Sequence, residues 1–448
     1  MLRFDFKITR PYLGLTLPVA VGTQMDNLVG FAEIFLVRSL GENAISAVGI
    51  SRQIVWVVAI LMVTVATGTM AMVAQAVGAR NLEEASQTAK QSLTLVTLLS
   101  GAIGLFGFFT SEMALASLSV PEEIAALGAP YLRVFFLTVP MMGIQRTIDT
   151  CLYASGDSRT PLIIAIVSNI VRIFVAYGLI FGTWGLPEMG VTGAAAGGLA
   201  GGVVGNVTGL WALYSGRFGL VLLPDTSFVP ERARTTRILR IGIPAALQGL
   251  FRNGSNLAYL KLVALTAHPA VALAAFTIAN QMERFLRRSS LAFGTAATSI
   301  VGQSLGAGDL EEAERRGWTS LVISVAGLAA IGVPIVIFAR QFMEIFTDGP
   351  EVIAVGVVYL YAMALAEPLM TTAITSEASL RAAGNTIPAL YYTLIAQWLV
   401  RIPLAWVLAF TMGLDVYGIW YALVIFSGVQ GVLTLRKFAK GEWKTRKL

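Results

Sequence analysis

The stretches Leu93 to Phe109 and Leu321 to Phe338 carry no charged residue at all. Apolar runs approaching 20 residues match the hydrocarbon thickness of a bilayer and read as membrane helices. Strands of a membrane barrel would alternate apolar with polar residues, so these runs exclude a barrel. The rest of the chain follows suit: 56% of its 448 residues are hydrophobic, 13% are charged and mean hydropathy is +0.73. A soluble domain has about a quarter of its residues charged. The expected fold is all-α, a polytopic membrane protein.

Punctuation by Gly, Pro and charge places spans near 11–38, 47–76, 88–110, 128–151, 162–182 and 191–214, then near 241–265, 273–301, 318–340, 354–378, 389–410 and 417–437. That predicts twelve transmembrane helices. The charged opening, Arg3 to Arg10, runs straight into a stretch of full spanning length, so no cleavable signal is expected. Loops on one side carry Arg80, Lys90, Arg159, Arg217, Arg232, Arg234, Arg237, Arg315, Arg316 and Arg381, together with both basic termini. Loops on the other side carry Glu42, Glu112, Glu122, Glu123, Glu188, Glu344, Asp348, Glu351 and Asp415. The positive-inside rule then predicts cytoplasmic termini in a plasma (inner) membrane protein. Arg38 and Arg340, at outer helix ends, can snorkel.

The chain repeats itself. Val77-Gly-Ala-Arg-Asn-Leu-Glu-Glu-Ala85 matches Leu305-Gly-Ala-Gly-Asp-Leu-Glu-Glu-Ala313, a shift of 305 − 77 = 228 that also maps Gln75 to Gln303, Tyr131 to Tyr359, Pro140 to Pro368, Asp149 to Glu377 and Gly156 to Gly384. An even number of spans per repeat gives parallel repeats related about the membrane normal. The predicted organisation is a six-helix lobe at 1–214, a basic linker at 215–240, a second six-helix lobe at 241–437 and a basic tail at 438–448. Each Gly-Ala-x-x-Leu-Glu-Glu-Ala segment reads as a turn leading into a short amphipathic helix, with acids at its positive end. Ser155-Gly-Asp-Ser-Arg-Thr-Pro161 and Ala382-Ala-Gly-Asn-Thr-Ile-Pro388 read as turns before a new span.

An ordered set of short motifs adds to this: Pro18, Gln75-Ala-Val-Gly-Ala79, Leu152-Tyr-Ala-Ser-Gly-Asp157, Gly190-Val-Thr-Gly-Ala194, Gln303-Ser-Leu-Gly-Ala307, Leu380-Arg-Ala-Ala-Gly-Asn385, Arg401-Ile-Pro-Leu404 and Gly418-Ile-Trp420. In this the chain resembles the multidrug and toxic compound extrusion (MATE) transporters. The resemblance implies two six-helix lobes around a central cavity, and alternating access driven by a proton or sodium gradient. Glu33 stands where that family usually places an aspartate, with Asp26 two turns earlier. Arg252 and Met370 stand where branches of the family keep carboxylates, and Asn169 is followed by Ile173 where some carry Asp.

Composition narrows the chemistry further. One cysteine, Cys151, and one histidine, His268, leave no cluster for a zinc, haem or iron–sulfur site. No phosphate-cradling Gly-Lys-Ser/Thr motif occurs, so energy is expected from an ion gradient rather than ATP. No cofactor is expected beyond the coupling ion, H+ or Na+. The net charge of +6 is read as membrane orientation, not as nucleic-acid binding, and no enzymatic activity is expected.

Ionisable residues inside a membrane are expensive and point to function. Asp26 and Glu33 share one face of the first span. A lone carboxylate there could carry a proton, and Asn27, Gln24, Asn169 and Thr192 could complete an oxygen-lined sodium pocket. A static pair with Arg172 is the alternative. In the second lobe Arg252, Lys261, Glu283, Arg284, Arg287, Arg288 and Arg401 form either a salt-bridge network, with Arg252 pairing Glu283, or a cationic wall for an anionic or amphipathic substrate. Glu367 before Pro368, with Met141 and Met370, joins Arg252, Glu283 and Arg284 as a candidate cavity residue. Asp149 and Glu377 read as interfacial pairs of Arg146 and Arg381. The function expected is a secondary antiporter exporting small amphipathic organic compounds, acting as a monomer in the bilayer; a lipid or lipid-linked-precursor flippase is the alternative. A receptor or channel is disfavoured, because two similar halves suit a rocking mechanism.

Overall fold

The computed structural model describes residues 5–118 and 120–445, with side chains at all of these except 56–60. Arg3 of the charged opening and the last three residues of the basic tail lie outside the described residues. Within them the chain is helical throughout. Helices α1 (Phe6–Val37), α2 (Glu42–Gly78), α3 (Leu82–Ala116), α4 (Glu122–Ser155), α5 (Arg159–Phe181), α6 (Val191–Ser215), α7 (Arg232–Ala264), α8 (Pro269–Gly306) and α9 (Leu310–Ile337) are followed by the short α10 (Ala339–Glu344) and by α11 (Pro350–Ala382). Next, α12 (Ile387–Leu394) and α13 (Ile402–Trp406) are linked by π-helical turns into one rod, Ile387–Thr411, before α14 (Asp415–Ala439).

Every apolar stretch read from the sequence falls on one of these helical segments. Nine of them, among the described residues, are long and apolar enough to cross a membrane. The three that fall short are α1, α7 and α8, and the reason is chemical. Gln24, Asp26 and Asn27 interrupt α1, Arg252 and Asn253 interrupt α7, and Glu283, Arg284, Arg287 and Arg288 interrupt α8. Outward faces are apolar, with Phe31, Phe35, Leu98, Phe106, Phe109, Trp211 and Leu399 exposed, as a lipid-facing surface requires.

The turn chemistry follows the repeat. Gly156 (φ 93°) and Gly384 (φ 68°) end α4 and α11 in the left-handed region, which costs glycine nothing. Asn81 Oδ1 accepts from the Glu84 N–H at 3.0 Å and Asp309 Oδ1 from the Glu312 N–H at 2.9 Å, so both Leu-Glu-Glu segments begin with side-chain caps. The short amphipathic helices expected after these caps are instead the first turns of the long α3 and α9, because nothing between cap and apolar run breaks the helix.

The chain divides into two compact units: an N unit, Leu17–Gly242, and a C unit, Met1–Thr16 with Ile243–Leu448. In the N unit α5 and α6 meet backbone to backbone along Gly193, Gly197 and Gly201, where a β-carbon at Gly197 would come within 2.5 Å of the Ala176 side chain. Small residues at four-residue spacing permit this approach. The segment between α6 and α7 straps onto α3, with buried Lys90 Nζ donating to the carbonyls of Leu223 (2.6 Å) and Thr226 (2.8 Å). Arg234 on α7 pairs with Glu84 at 2.8 Å. In the C unit, Tyr12 donates to the Phe293 carbonyl at 2.9 Å. There the segment after α14 docks on α9, with Lys444 pairing Glu314 at 2.7 Å and Trp443 stacking on Phe438.

Candidate functional site

In the N unit, Glu33 on α1 is 2% exposed and grips two arginines, Arg52 of α2 and Arg172 of α5. One carboxylate oxygen takes each guanidinium, and Arg52 also donates to the Gly30 carbonyl at 3.3 Å. The Tyr131 hydroxyl stands beside Arg52. Glu33 is therefore not a lone carboxylate; the static pairing with Arg172 is present, and Arg52 completes it. The sequence reading passed over Arg52, although an arginine within the span 47–76 was itself the signal.

Seven residues earlier on α1, the exposed Asp26 lies within electrostatic reach of Asp149 on α4. Gln145 Nε2 donates to Asp149 Oδ1 at 2.8 Å. The same Gln145 leaves its own Oε1 buried without a hydrogen bond, and Tyr153 stands within reach of both acids. No ion pair joins Asp149 to Arg146 among the described residues: the exposed Arg146 turns outward, and an amide takes its place. Two acids and the charge of Arg146 thus lie within electrostatic reach of one another.

In the C unit, Glu283 on α8 is paired with Arg287 one turn on and accepts from the Tyr359 hydroxyl of α11. Tyr359 is the repeat mate of Tyr131, so both units place the same tyrosine against an acid–arginine cluster, the acid coming from α1 in one and α8 in the other. Arg401, in a π-helical turn, stacks over Tyr259 (3.9 Å) and Phe426 (4.8 Å) and donates to Asn256 at 2.7 Å. A cavity of about 10 Å³ is lined by Glu283, Arg287, Glu367, Met363, Met370 and Phe426. Glu367, 3% exposed, leaves its Oε2 there without a partner.

Glu377, expected to pair with Arg381, is held by amides as its repeat mate Asp149 is. Gln248 on α7 donates to Oε2 at 2.8 Å and Gln430 on α14 to Oε1 at 3.2 Å. Arg252 does not pair with Glu283, which is already taken by Arg287; its charged neighbours are Arg287, Glu377 and Arg381.

The remaining candidates scatter. Asn27 donates to Gln24 at 3.0 Å. Asn169 is buried on α5 and Thr192 half-buried on α6, and neither side chain hydrogen-bonds a carboxylate among the described residues. Met141 accepts from Asn206 in the N unit, whereas Met370 lines the C-unit cavity. Arg284, Lys261 and His268 are exposed. No group of three metal-ligating side chains occurs among the described residues.

Comparison with known proteins adds to this geometry. The family model described as MatE matches residues 18–178 and 244–407. A probable multidrug resistance protein NorM of Thermotoga maritima is 26% identical, with 98% of this chain and 94% of the relative covered. An FAD transporter of Shewanella oneidensis is 24% identical, with 95% and 93% covered. Among solved structures, MATE in the straight conformation superposes with a TM-score of 0.88 at 22% identity, covering 98% of this chain and 96% of that one. A MOP superfamily transporter from Pyrococcus furiosus, described as having a binding pocket of reverse polarity, superposes with a TM-score of 0.87 at 22% identity and the same coverage.

Proposed function

The chain belongs to the MATE family of membrane-embedded, multi-pass transporters, and we propose that it is a secondary active antiporter that exports small amphipathic organic compounds across the plasma membrane in exchange for protons or sodium ions. The multidrug names of its relatives support such cargo. Both termini face the cytoplasm in this reading, with the arginine-bearing loops. Members of this family are transporters rather than enzymes.

The observation that carries the coupling step is the contrast between Glu33 and Asp26. Glu33 is committed to two permanent cations, because arginine does not release its proton. Asp26 has a second acid, Asp149, for company. Two carboxylates sharing one neighbourhood repel each other unless a cation sits between them, so arrival and departure of one proton or sodium ion switches the pair between two charge states. Asn27, Gln24 and Gln145 offer amide oxygens on the same two helices, α1 and α4.

The test is uptake into proteoliposomes under imposed proton or sodium gradients. Asp26→Asn and Asp149→Asn should abolish gradient-driven accumulation while substrate binding persists. Accumulation at the wild-type rate in both variants would sink the assignment and leave Glu367 as the next acid to try. The second reading, a lipid or lipid-linked-precursor flippase, is favoured by the guanidinium groups of α7, α8 and α11, and by one relative whose named cargo, FAD, carries a diphosphate. Scrambling of a labelled lipid in liposomes without any gradient would support it.

A further inference from the structure

Arg252 sits half-buried in the middle of α7 and makes no hydrogen bond or ion pair among the described residues. Two of the charges within its reach, Arg287 and Arg381, repel it, and the third is Glu377. Arg381 likewise makes no side-chain hydrogen bond or ion pair there, and its guanidinium leans toward α8. Its Nη2 comes within 3.8 Å of where a β-carbon on Gly294 would stand, beside Ile374. The bond from Gln248 to Glu377 sets the register of α7 against α11. It places the arginine one turn after each of these residues beside one acid.

That acid does not discharge both arginines. It carries one negative charge against two guanidiniums, its oxygens also accept from Gln248 and Gln430, and Glu283, the next carboxylate, is taken by Arg287 and Tyr359. Guanidinium groups that share one acid within a membrane segment are costly, and a further anion among them lowers that cost. The planar fork of arginine matches phosphate and carboxylate oxygens in pairs.

Resting on the transporter reading above, we infer that Arg252 and Arg381, with Arg287 behind them, form a site in the C unit for the phosphate or carboxylate group of an organic anion. The source is either a soluble amphipathic compound or a lipid headgroup, and the chemistry is the same for both.

The full chain in nanodiscs, titrated calorimetrically with decyl phosphate and with decyltrimethylammonium, compares one tail with two opposite heads. Replacing either guanidinium, as Arg252→Gln or Arg381→Gln, should weaken decyl phosphate about tenfold or more, whereas Arg252→Lys, which keeps the charge but loses the fork, should fall between wild type and Arg252→Gln. Decyltrimethylammonium should not bind more weakly to any of these variants. Because the arginines repel when no ligand is present, the ligand-free Gln variants should melt no lower than wild type. Unchanged decyl phosphate affinity in both Gln variants overturns the inference, and so does a ligand-free Tm well below wild type, which would mark the arginines as structural. Competition by phosphatidylglycerol nanodiscs but not phosphatidylcholine assigns the lipid source, and competition by inorganic phosphate alone assigns the soluble one; competition by neither overturns the phosphate chemistry. Loss of gradient-driven transport with decyl phosphate binding intact counts against antiport and leaves the site standing.

Discussion

The N and C units descend from one repeat and keep its scaffold, yet they balance charge in opposite ways. In the N unit Arg52 and Arg172 both meet Glu33, and two further acids, Asp26 and Asp149, lie within electrostatic reach of each other. In the C unit Glu283 is paired with Arg287, Glu377 accepts from two amides, Glu367 leaves one oxygen without a partner among the described residues, and Arg252 and Arg381 both lie within reach of Glu377. The shared tyrosine, Tyr131 in one and Tyr359 in the other, shows that the cluster site is inherited. What differs is which helix brings the acid. A duplicated framework can therefore carry different charge pairings in its two halves without any change of fold.

The sharpest way to break that comparison is to remove the acid that closes the N-unit cluster. Glu33→Gln strands two guanidiniums, and unfolding in detergent should show a loss of about 3 kcal/mol, with partial recovery when Arg172→Gln is added. Glu283→Gln in the C unit should cost less, since it strands only Arg287. Equal losses would mean that the two units are balanced alike after all.

Packing offers a second contrast. A methyl group at Gly197 meets Ala176 at 2.5 Å, whereas at Gly428, on the corresponding helix of the C unit, the nearest atom is 3.7 Å away. Gly197→Ala should destabilise by about 1–3 kcal/mol through overpacking, and Gly428→Ala should be near neutral or slightly stabilising; the two melting temperatures decide it.

The smallest effect concerns the paired turns before α3 and α9. Arg80 sits at φ 55° where its repeat mate, Gly308, sits at φ 77°. A non-glycine residue in the left-handed region costs about 1 kcal/mol, so Arg80→Gly should raise the melting temperature by a degree or two, and Gly308→Arg should lower it. Opposite signs at repeat-related positions would confirm that backbone strain, not the side chain, separates them.

Much of this was legible in the sequence, and the part that was not has a common cause. Apolar runs, loop charge and the 228-residue register located the helices because each is a local or periodic property. Pairing is neither. Arg52 reaches Glu33 from another helix, Gln145 rather than Arg146 takes Asp149, and Gln248 and Gln430 approach Glu377 from two different helices. Helical spacing suggested Arg146 and Arg381 as partners, and tertiary packing chose amides that no spacing rule could nominate. Helical spacing makes local pairing of Glu283 with Arg287 available, and that pair forms; the pairing of Arg252 with Glu283 does not.

The strap that ties α6 to α7 is anchored wholly on one side. Lys90 holds it through Leu223 and Thr226, Gln91 takes the Glu231 N–H at 3.1 Å, Glu84 holds Arg234, and Gly242 lies against the Thr64 backbone. All of these contacts belong to the N unit, so the strap carries no tension between the halves. Its stretch Ser227–Pro230 is exposed, tied to α3 among the described residues only through the Ser227 N–H and the Phe228 carbonyl and ring, and exposed loop segments are where new chain ends are best tolerated. The protein should consequently survive being encoded as two separate polypeptides broken there, the two products assembling in the bilayer as one transporter.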